Sequence, residues 1–206
     1  MRATKNIDAR IKQDDASRPR AAERILGVAR DLFYRQGIRA IGVDEIVRRA
    51  GVTKPSLYRS FSSKDELAAS YLKYYDKEFW VRFDEAVAAH PGDPRAQIIA
   101  FLTRVGKRTQ MPGYRGCGMT NAAVEYPQAG HPARVVGEEN KRELRRRLRA
   151  MAAGMGAADP DTLGDGLLLL IEGAYISGQL FGAGGPAQSV ARNADLLIQA
   201  SLAKQA

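Results

Sequence analysis

The sequence predicts an all-α fold of about nine helices, arranged as a short basic N-terminal part and a longer, nearly neutral remainder. Three observations predict it. Apolar residues recur at three- and four-residue steps along nearly the whole chain, the helical period rather than the strand period. The interruptions fall at glycine and proline, as at Gly37, Gly51, Pro91-Gly92 and Pro112-Gly113. Residues 1–64 hold 15 Lys and Arg against 7 Asp and Glu, whereas residues 65–206 hold 17 against 16.

Bulk properties narrow the class. A chain of 206 residues, 45% hydrophobic and 27% charged, is long enough for a helical domain with a sizeable core or for a small domain joined to a larger one. A single cysteine, Cys117, excludes an internal disulfide framework and fits a reducing compartment. Arg2, Lys5 and Arg10 are not followed by an apolar stretch of signal-peptide type. The longest strongly apolar run, residues 167–171, is too short to span a membrane. A cytoplasmic protein without a membrane partner is expected. A basic N-terminal third beside a neutral body is the footprint of a nucleic-acid-binding module. Basic surfaces also bind acidic proteins and membranes, so the pattern of residues has to decide.

Residues 1–17 are polar, mixed in charge and without apolar periodicity, which predicts a disordered arm. Such an arm either reaches a minor groove or has no role. From about residue 19 the pattern turns helical: Ile25, Leu26, Ala29, Leu32 and Phe33 share one face, and Gly37 stops the helix. A second helical pattern covers residues 43–50 and runs into Gly51-Val52-Thr53; a third covers residues 54–61. Two short helices joined by a tight glycine-containing turn form a helix-turn-helix, whose second helix enters the DNA major groove. Gly51 permits the turn, Thr53 is placed to cap the following helix, and Pro55 falls in its first turn, where a missing N–H costs nothing. Ile46, Val47, Val52, Leu57 and Phe61 are the expected core of this three-helix unit, residues 18–64.

The residues left for DNA are Thr53, Lys54, Ser56, Tyr58, Arg59 and Ser60, joined by Lys64 beside the N–H groups of the next helix. Arg59 suits a guanine edge, and Lys54 and Tyr58 suit phosphate oxygens.

Residues 22–70 resemble the DNA-binding domain of the TetR family of bacterial transcriptional regulators. The resemblance rests on Ala29-x-x-Leu32-Phe33-x-x-x-Gly37, Ile46-x-x-x-Ala50-Gly51-Val52, and Ser56-Leu57-Tyr58-x-x-Phe61-x-Ser63-Lys64-x-x-Leu67, without a gap. Two positions depart from the family pattern. Gly42 stands where a capping Thr that touches phosphate is common, and Ser60 stands where His is common. The resemblance implies a C-terminal ligand-binding and dimerisation domain over residues 65–206, with the long fourth helix as the lever between the two parts.

That fourth helix starts at Lys64 and carries Leu67, Tyr71, Tyr74, Tyr75, Phe79, Phe83 and Val87, stopping near His90-Pro91-Gly92. A fifth starts at Asp93-Pro94 and buries Ile98, Phe101, Leu102 and Val105. Residues 114–127 resemble a segment of one large TetR subgroup, with Gly116-Cys117 before a short helix holding Asn121 and Glu125, and His131-Pro132 opening the next. Cys117 reads either as a thiol sensor or covalent ligand site, or as a buried small hydrophobe at a tight turn; the lack of a second, resolving cysteine favours the latter. Asn121 and Glu125 either bind a ligand or satisfy nearby backbone. The helix over residues 131–155 includes the basic run 141–149, preferred here as a solvated face over a second DNA contact.

Two helices close the chain, residues 159–182 and 186–204. Leu163, Leu167, Leu170, Ala174 and Phe181 stripe the first, and Val190, Ala194, Leu197 and Ile198 the second. The resemblance implies that they pair with their two-fold mates in a homodimer; the alternative is a purely internal core. It also implies a small-molecule effector, for which Phe79, Phe83, Phe101, Tyr114, Cys117, Met119, Asn121, Glu125 and Tyr175 are candidates.

An enzyme fits poorly. His90 and His131 are the only histidines, both beside prolines at predicted breaks, and no metal-ligand spacing, phosphate-binding loop or nucleophile elbow occurs. No cofactor or metal is expected. The expected function is a DNA-binding regulator, a repressor released from a palindromic operator by a small molecule.

Overall fold

The computed structural model describes residues 20–202; the expected arm at residues 1–17 lies outside them. Nine α-helices make up the described residues: α1 (Ala21–Gln36), α2 (Val43–Ala50), α3 (Lys54–Ser60), α4 (Lys64–Ala88), α5 (Pro94–Arg108), α6 (Gly118–Glu125), α7 (Pro132–Gly154), α8 (Pro160–Phe181) and α9 (Val190–Leu202). A 3-10 turn, Pro186–Ser189, stands where the final helix was expected to begin. No strand occurs among the described residues. The chain divides into two compact units that meet between Tyr71 and Leu72, within α4.

In the first unit the expected apolar face of α1 is buried through Ile25, Ala29, Leu32 and Phe33. Glu23 reaches back to accept from the Arg20 N–H at 3.1 Å, and Gly37 ends the helix at φ 93°. Ile46, Leu57 and Phe61 close on this face, while Val47 and Val52 are only half-buried. Ile38 and Ile41, in the connection between α1 and α2, are buried as well. They escape a periodicity search because they lie outside any helix. Phe33 meets Tyr71 edge-on, ring centroids 5.7 Å apart. Ser63 caps α4 by accepting from the Glu66 N–H at 3.1 Å.

The second unit is a set of mostly antiparallel helix pairs, visible in how the ion pairs run. Arg149 meets Asp161 and Asp165, Arg145 meets Asp165, and Lys141 meets Glu172, so residue numbers rise on α8 as they fall on α7. Arg95 to Asp195 and Gly106 beside Val190 set α9 against α5 in the same sense. Close approach is possible because of glycine: a Cβ on Gly164 would lie 2.7 Å from the Arg149 Cα. Phe79, Phe83 and Phe101 form an aromatic block with Trp80, and the Arg147 guanidinium lies 4.1 Å above the Trp80 ring.

The Gly51 turn has φ 61° and ψ 42°, with nothing within 4 Å of an added Cβ. Gly51→Ala therefore meets only the backbone penalty of the left-handed region. It is expected to lower stability by about 1–2 kcal/mol in urea unfolding without changing the fold. A second expectation concerns pH. Arg146 and then Arg147 hold the Glu143 carboxyl down to about 2. A lowered folded-state pKa stabilises fully above the ordinary value of 4.5 and less as pH falls through the folded value. The thermal midpoint followed by circular dichroism should therefore fall as pH drops from about 4.5 toward 2, and Glu143→Gln should flatten part of that slope.

Candidate nucleic-acid interface and second-unit cavity

The second short helix of the pair, α3, is only seven residues long, too short to persist by itself in water. Its register does two things at once. Leu57 and Phe61 go into the core, leaving Lys54, Tyr58 and Arg59 outward; Tyr58 is 48% exposed. Thr53 caps the helix, its Oγ1 accepting from the Ser56 N–H at 3.3 Å, and Pro55 lies in the first turn. Ser56 Oγ accepts from Arg59 Nη2 at 2.9 Å, which orients the guanidinium along the helix. Ser60 spends its hydroxyl on the Ser56 carbonyl at 3.1 Å. Lys64 Nζ donates to the Arg39 carbonyl at 3.4 Å.

The structure brings all seven sequence-expected DNA residues into this one unit. It also adds a residue that sequence reasoning missed. Asp44, in the first turn of α2, holds Lys54 at 2.8 Å, and both side chains are exposed. The Asp44 hydrogen bond raises the Lys54 pKa above its ordinary value. Ten residues separate the two, outside any helical pairing rule, so no local spacing announces the contact. Gly42 occupies the cap position of α2 without a side-chain hydrogen bond, and nothing lies within 4 Å of an added Cβ.

In the second unit, a solvent-open cavity of about 400 Å³ lies among α6, α7 and α8, lined by Met119, Thr120, Ala123, Gly137, Glu138, Lys141, Arg142, Leu168 and Glu172. Of the expected effector residues, Met119 is in that lining. Phe79, Phe83 and Phe101 pack against one another instead. Asn121 donates to the Arg115 carbonyl at 2.7 Å, a backbone-satisfying role. Glu125 is half-buried at the end of α6. Cys117 is buried, with Lys141 Nζ 3.4 Å from its sulfur. Tyr175 is buried under the Lys141 ammonium, 5.3 Å from its ring centre, and burial pushes its pKa well up. Tyr114 stands so close to α8 that a Cβ on Gly178 would lie 2.7 Å from its ring. The Lys141–Glu172 pair, at 2.6 Å, was not foreseen, because its members lie on different helices.

The expected dimer stripe divides. Leu163, Leu167, Ala174, Val190, Ala194 and Ile198 are buried within the chain itself, Leu170 and Leu197 are half-buried, and Phe181 is exposed. The apolar face that α8 leaves to solvent is rotated from that stripe: Leu169 is 72% and Leu180 70% exposed, with Ile176 between them and Leu196 exposed on α9. A hydrophobic stripe in sequence marks whichever face is buried first, here the one turned to α7, α9 and the core. The basic run of α7 is matched by carboxylates: Arg142 by Glu138, Arg145 and Arg149 by Asp165, and Arg146 and Arg147 by Glu143. Two guanidinium groups, Arg145 first, hold the Asp165 carboxyl far below the usual range.

No helix of the described residues is long and apolar enough to cross a membrane, and no group of three metal-ligating side chains occurs among them. Against known proteins, the sequence model of bacterial regulatory proteins, tetR family, matches residues 25–71. The chain is similar to the transcriptional activator FasR of Mycolicibacterium smegmatis, 47% identical over 117 residues, 55% of this chain and 52% of that protein. It is also similar to the transcriptional repressor KstR2 of Rhodococcus jostii, 33% identical over 79 residues, 38% of each. These matches thus span about half or less of those relatives. Similarity to SCO4454, a TetR-family transcriptional regulator from Streptomyces coelicolor, is end to end: 30% identity over 90% of this chain and 95% of that one, with a TM-score of 0.80. With the helix-turn-helix unit and the all-helical second unit both matched, the chain belongs to the TetR family of bacterial transcriptional regulators.

Proposed function

We propose that this protein is a homodimeric transcriptional repressor that holds an inverted-repeat operator with two copies of α3 and releases it when a small molecule occupies the second unit. The observation that carries the reading is the capped helix α3, anchored inward by Leu57 and Phe61 and presenting Lys54, Tyr58 and Arg59 outward. Basic residues around it supply salt-dependent attraction to phosphates. Thr53 and Ser56 hold the helix end and the Arg59 fork, and Lys64 adds a phosphate contact.

The exposed stripe Leu169, Ile176, Leu180 and Phe181, with Leu196, supports a two-fold pairing through α8 and α9. One recognition helix alone binds weakly; two-fold pairing lets two of them read a palindrome. The effector acts only through its difference in affinity between the DNA-fitting state and the other. Activation is the second reading, favoured by the similarity to FasR; transcription from the bound promoter with and without the protein separates the two.

The test of DNA binding is selection from a random duplex pool, then a salt-titrated shift assay. A palindromic consensus and a steep salt dependence are expected, and the absence of any specific complex would refute the proposal. Arg59→Ala should relax preference at one base position per half-site, at a cost of about 1–3 kcal/mol, while Lys64→Ala should weaken all sequences alike and lower the salt slope by about one. Asp44→Asn frees Lys54 for phosphate and should tighten binding to every sequence by roughly two- to five-fold, the worth of an exposed ion pair. For the dimer, Ile176→Asp places charge on the exposed stripe; a shift from dimer to monomer mass in sedimentation at micromolar concentration is expected.

A further inference from the structure

The cavity among α6, α7 and α8 has walls of two kinds. Met119, Ala123, Gly137 and Leu168 make it apolar over most of its lining. At one end Lys141 Nζ donates to Glu172 Oε1 at 2.6 Å and to Cys117 Sγ at 3.4 Å, and Thr120 Oγ1 donates to Glu172 Oε2 at 2.7 Å. Elsewhere in the lining Arg142 donates to Glu138 Oε2 at 2.8 Å, and Glu138 Oε1 accepts from Arg134 at 2.6 Å. The ionised lining therefore holds two cations and two anions, each already engaged with a charge of opposite sign.

That neutrality selects the ligand's chemistry. An ionised head group entering the cavity meets no uncommitted counter-charge. An anion drawn to Lys141 or Arg142 comes up against Glu172 and Glu138, and a cation drawn to either carboxylate comes up against Lys141 and Arg142. Neither ion's desolvation is repaid by a net attraction. A neutral oxygen faces no such penalty. The Lys141 ammonium has three donors, two of them directed to Glu172 and Cys117, and a carboxylate has about four acceptor sites. Each partner can take one more hydrogen bond without losing those it has. The volume of about 400 Å³ is at the lower end of the range for small-molecule sites.

We infer that this cavity is the effector site and that its ligand is an uncharged amphiphile, an apolar body with a hydroxyl or carbonyl oxygen set against Lys141 and Glu172. The inference rests on the ligand-release reading above. Its route into the fold is Glu172, which ties α6 through Thr120 and α7 through Lys141 to α8. Gly137 adds to the linkage: an added Cβ there would be 3.0 Å from the Met119 carbonyl, so α6 and α7 touch backbone to side-chain position at the cavity wall.

The test uses four eight-carbon probes that differ in head group: 1-octanol and 2-octanone, octanoate, and octylammonium. Affinities are measured by calorimetry at pH 7 on the full chain. The two neutral probes should bind about ten-fold or more tightly than either ion. Leu168→Trp on α8 and Ala123→Met on α6, both in the lining, should each abolish that binding while the unfolding transition stays cooperative. Tightest binding by an ion, no saturable binding of either neutral probe, or neutral binding unaffected by both fillings would overturn the assignment. Shift assays on selected DNA with 1-octanol separate the two readings. Release that is lost in Leu168→Trp supports the effector site. Cavity binding with unchanged DNA affinity would overturn the effector role while leaving the ligand class of the cavity in place.

Discussion

The first unit depends on the burial of Leu57 and Phe61. Helix α3 has seven residues, and nucleating so short a helix in water is unfavourable. What holds it is the apolar surface of α1 and α2, reached by two side chains four positions apart, with Thr53 closing its N-terminus. The same fixed register dictates which side chains face outward. Lys54, Tyr58 and Arg59 are available for DNA because Leu57 and Phe61 are not. Core packing and recognition are thus one constraint seen from two sides, and the left-handed Gly51 turn sets the angle at which it is met.

The second unit solves a different problem, that of holding long helices side by side while leaving a space among them. The antiparallel α7–α8 pair is laced by Arg145, Arg149 and Lys141 against Asp165, Asp161 and Glu172. Much of this lattice is exposed and individually weak; its value lies in register, since each pair fits only one sliding position of the two helices. The aromatic block of Phe79, Phe83 and Phe101 fills the space between α4 and α5. The free volume opens instead among α6, α7 and α8, where the small side chain of Ala123 leaves room.

Charge is distributed by the same logic. The basic run of α7 and the basic N-terminal third look alike in composition, yet the structure treats Arg59 of the latter differently. On α7 the arginines are met by carboxylates of α7, α8 and α4. Around α3, Arg59 is held by the neutral Ser56 hydroxyl, with no carboxylate among its described partners. Elsewhere in the same unit carboxylates do compete: Asp44 for Lys54, Glu45 for Arg48 and Arg49, and Asp31 for Arg35.

Helix number, type and limits were legible in the sequence because they follow from local rules. Three- and four-residue apolar steps set the elements, glycine and proline set their ends, and Thr53, Ser63 and Asp93 cap in place. The first unit was readable almost to the side chain, since its helices are short and its motif contiguous. The 3-10 turn at Pro186–Ser189 was not, because its helical pattern continues unbroken into α9. What only the tertiary structure decided is which apolar face goes where and which charges meet. Periodicity identifies a stripe on α8 but not whether its neighbour is this chain or another, so Leu163 and Leu167 went inward and Leu169 and Leu180 stayed outward. The Asp44–Lys54 and Lys141–Glu172 pairs likewise join residues on separate helices, and their distances depend on packing angles that no one-dimensional spacing encodes.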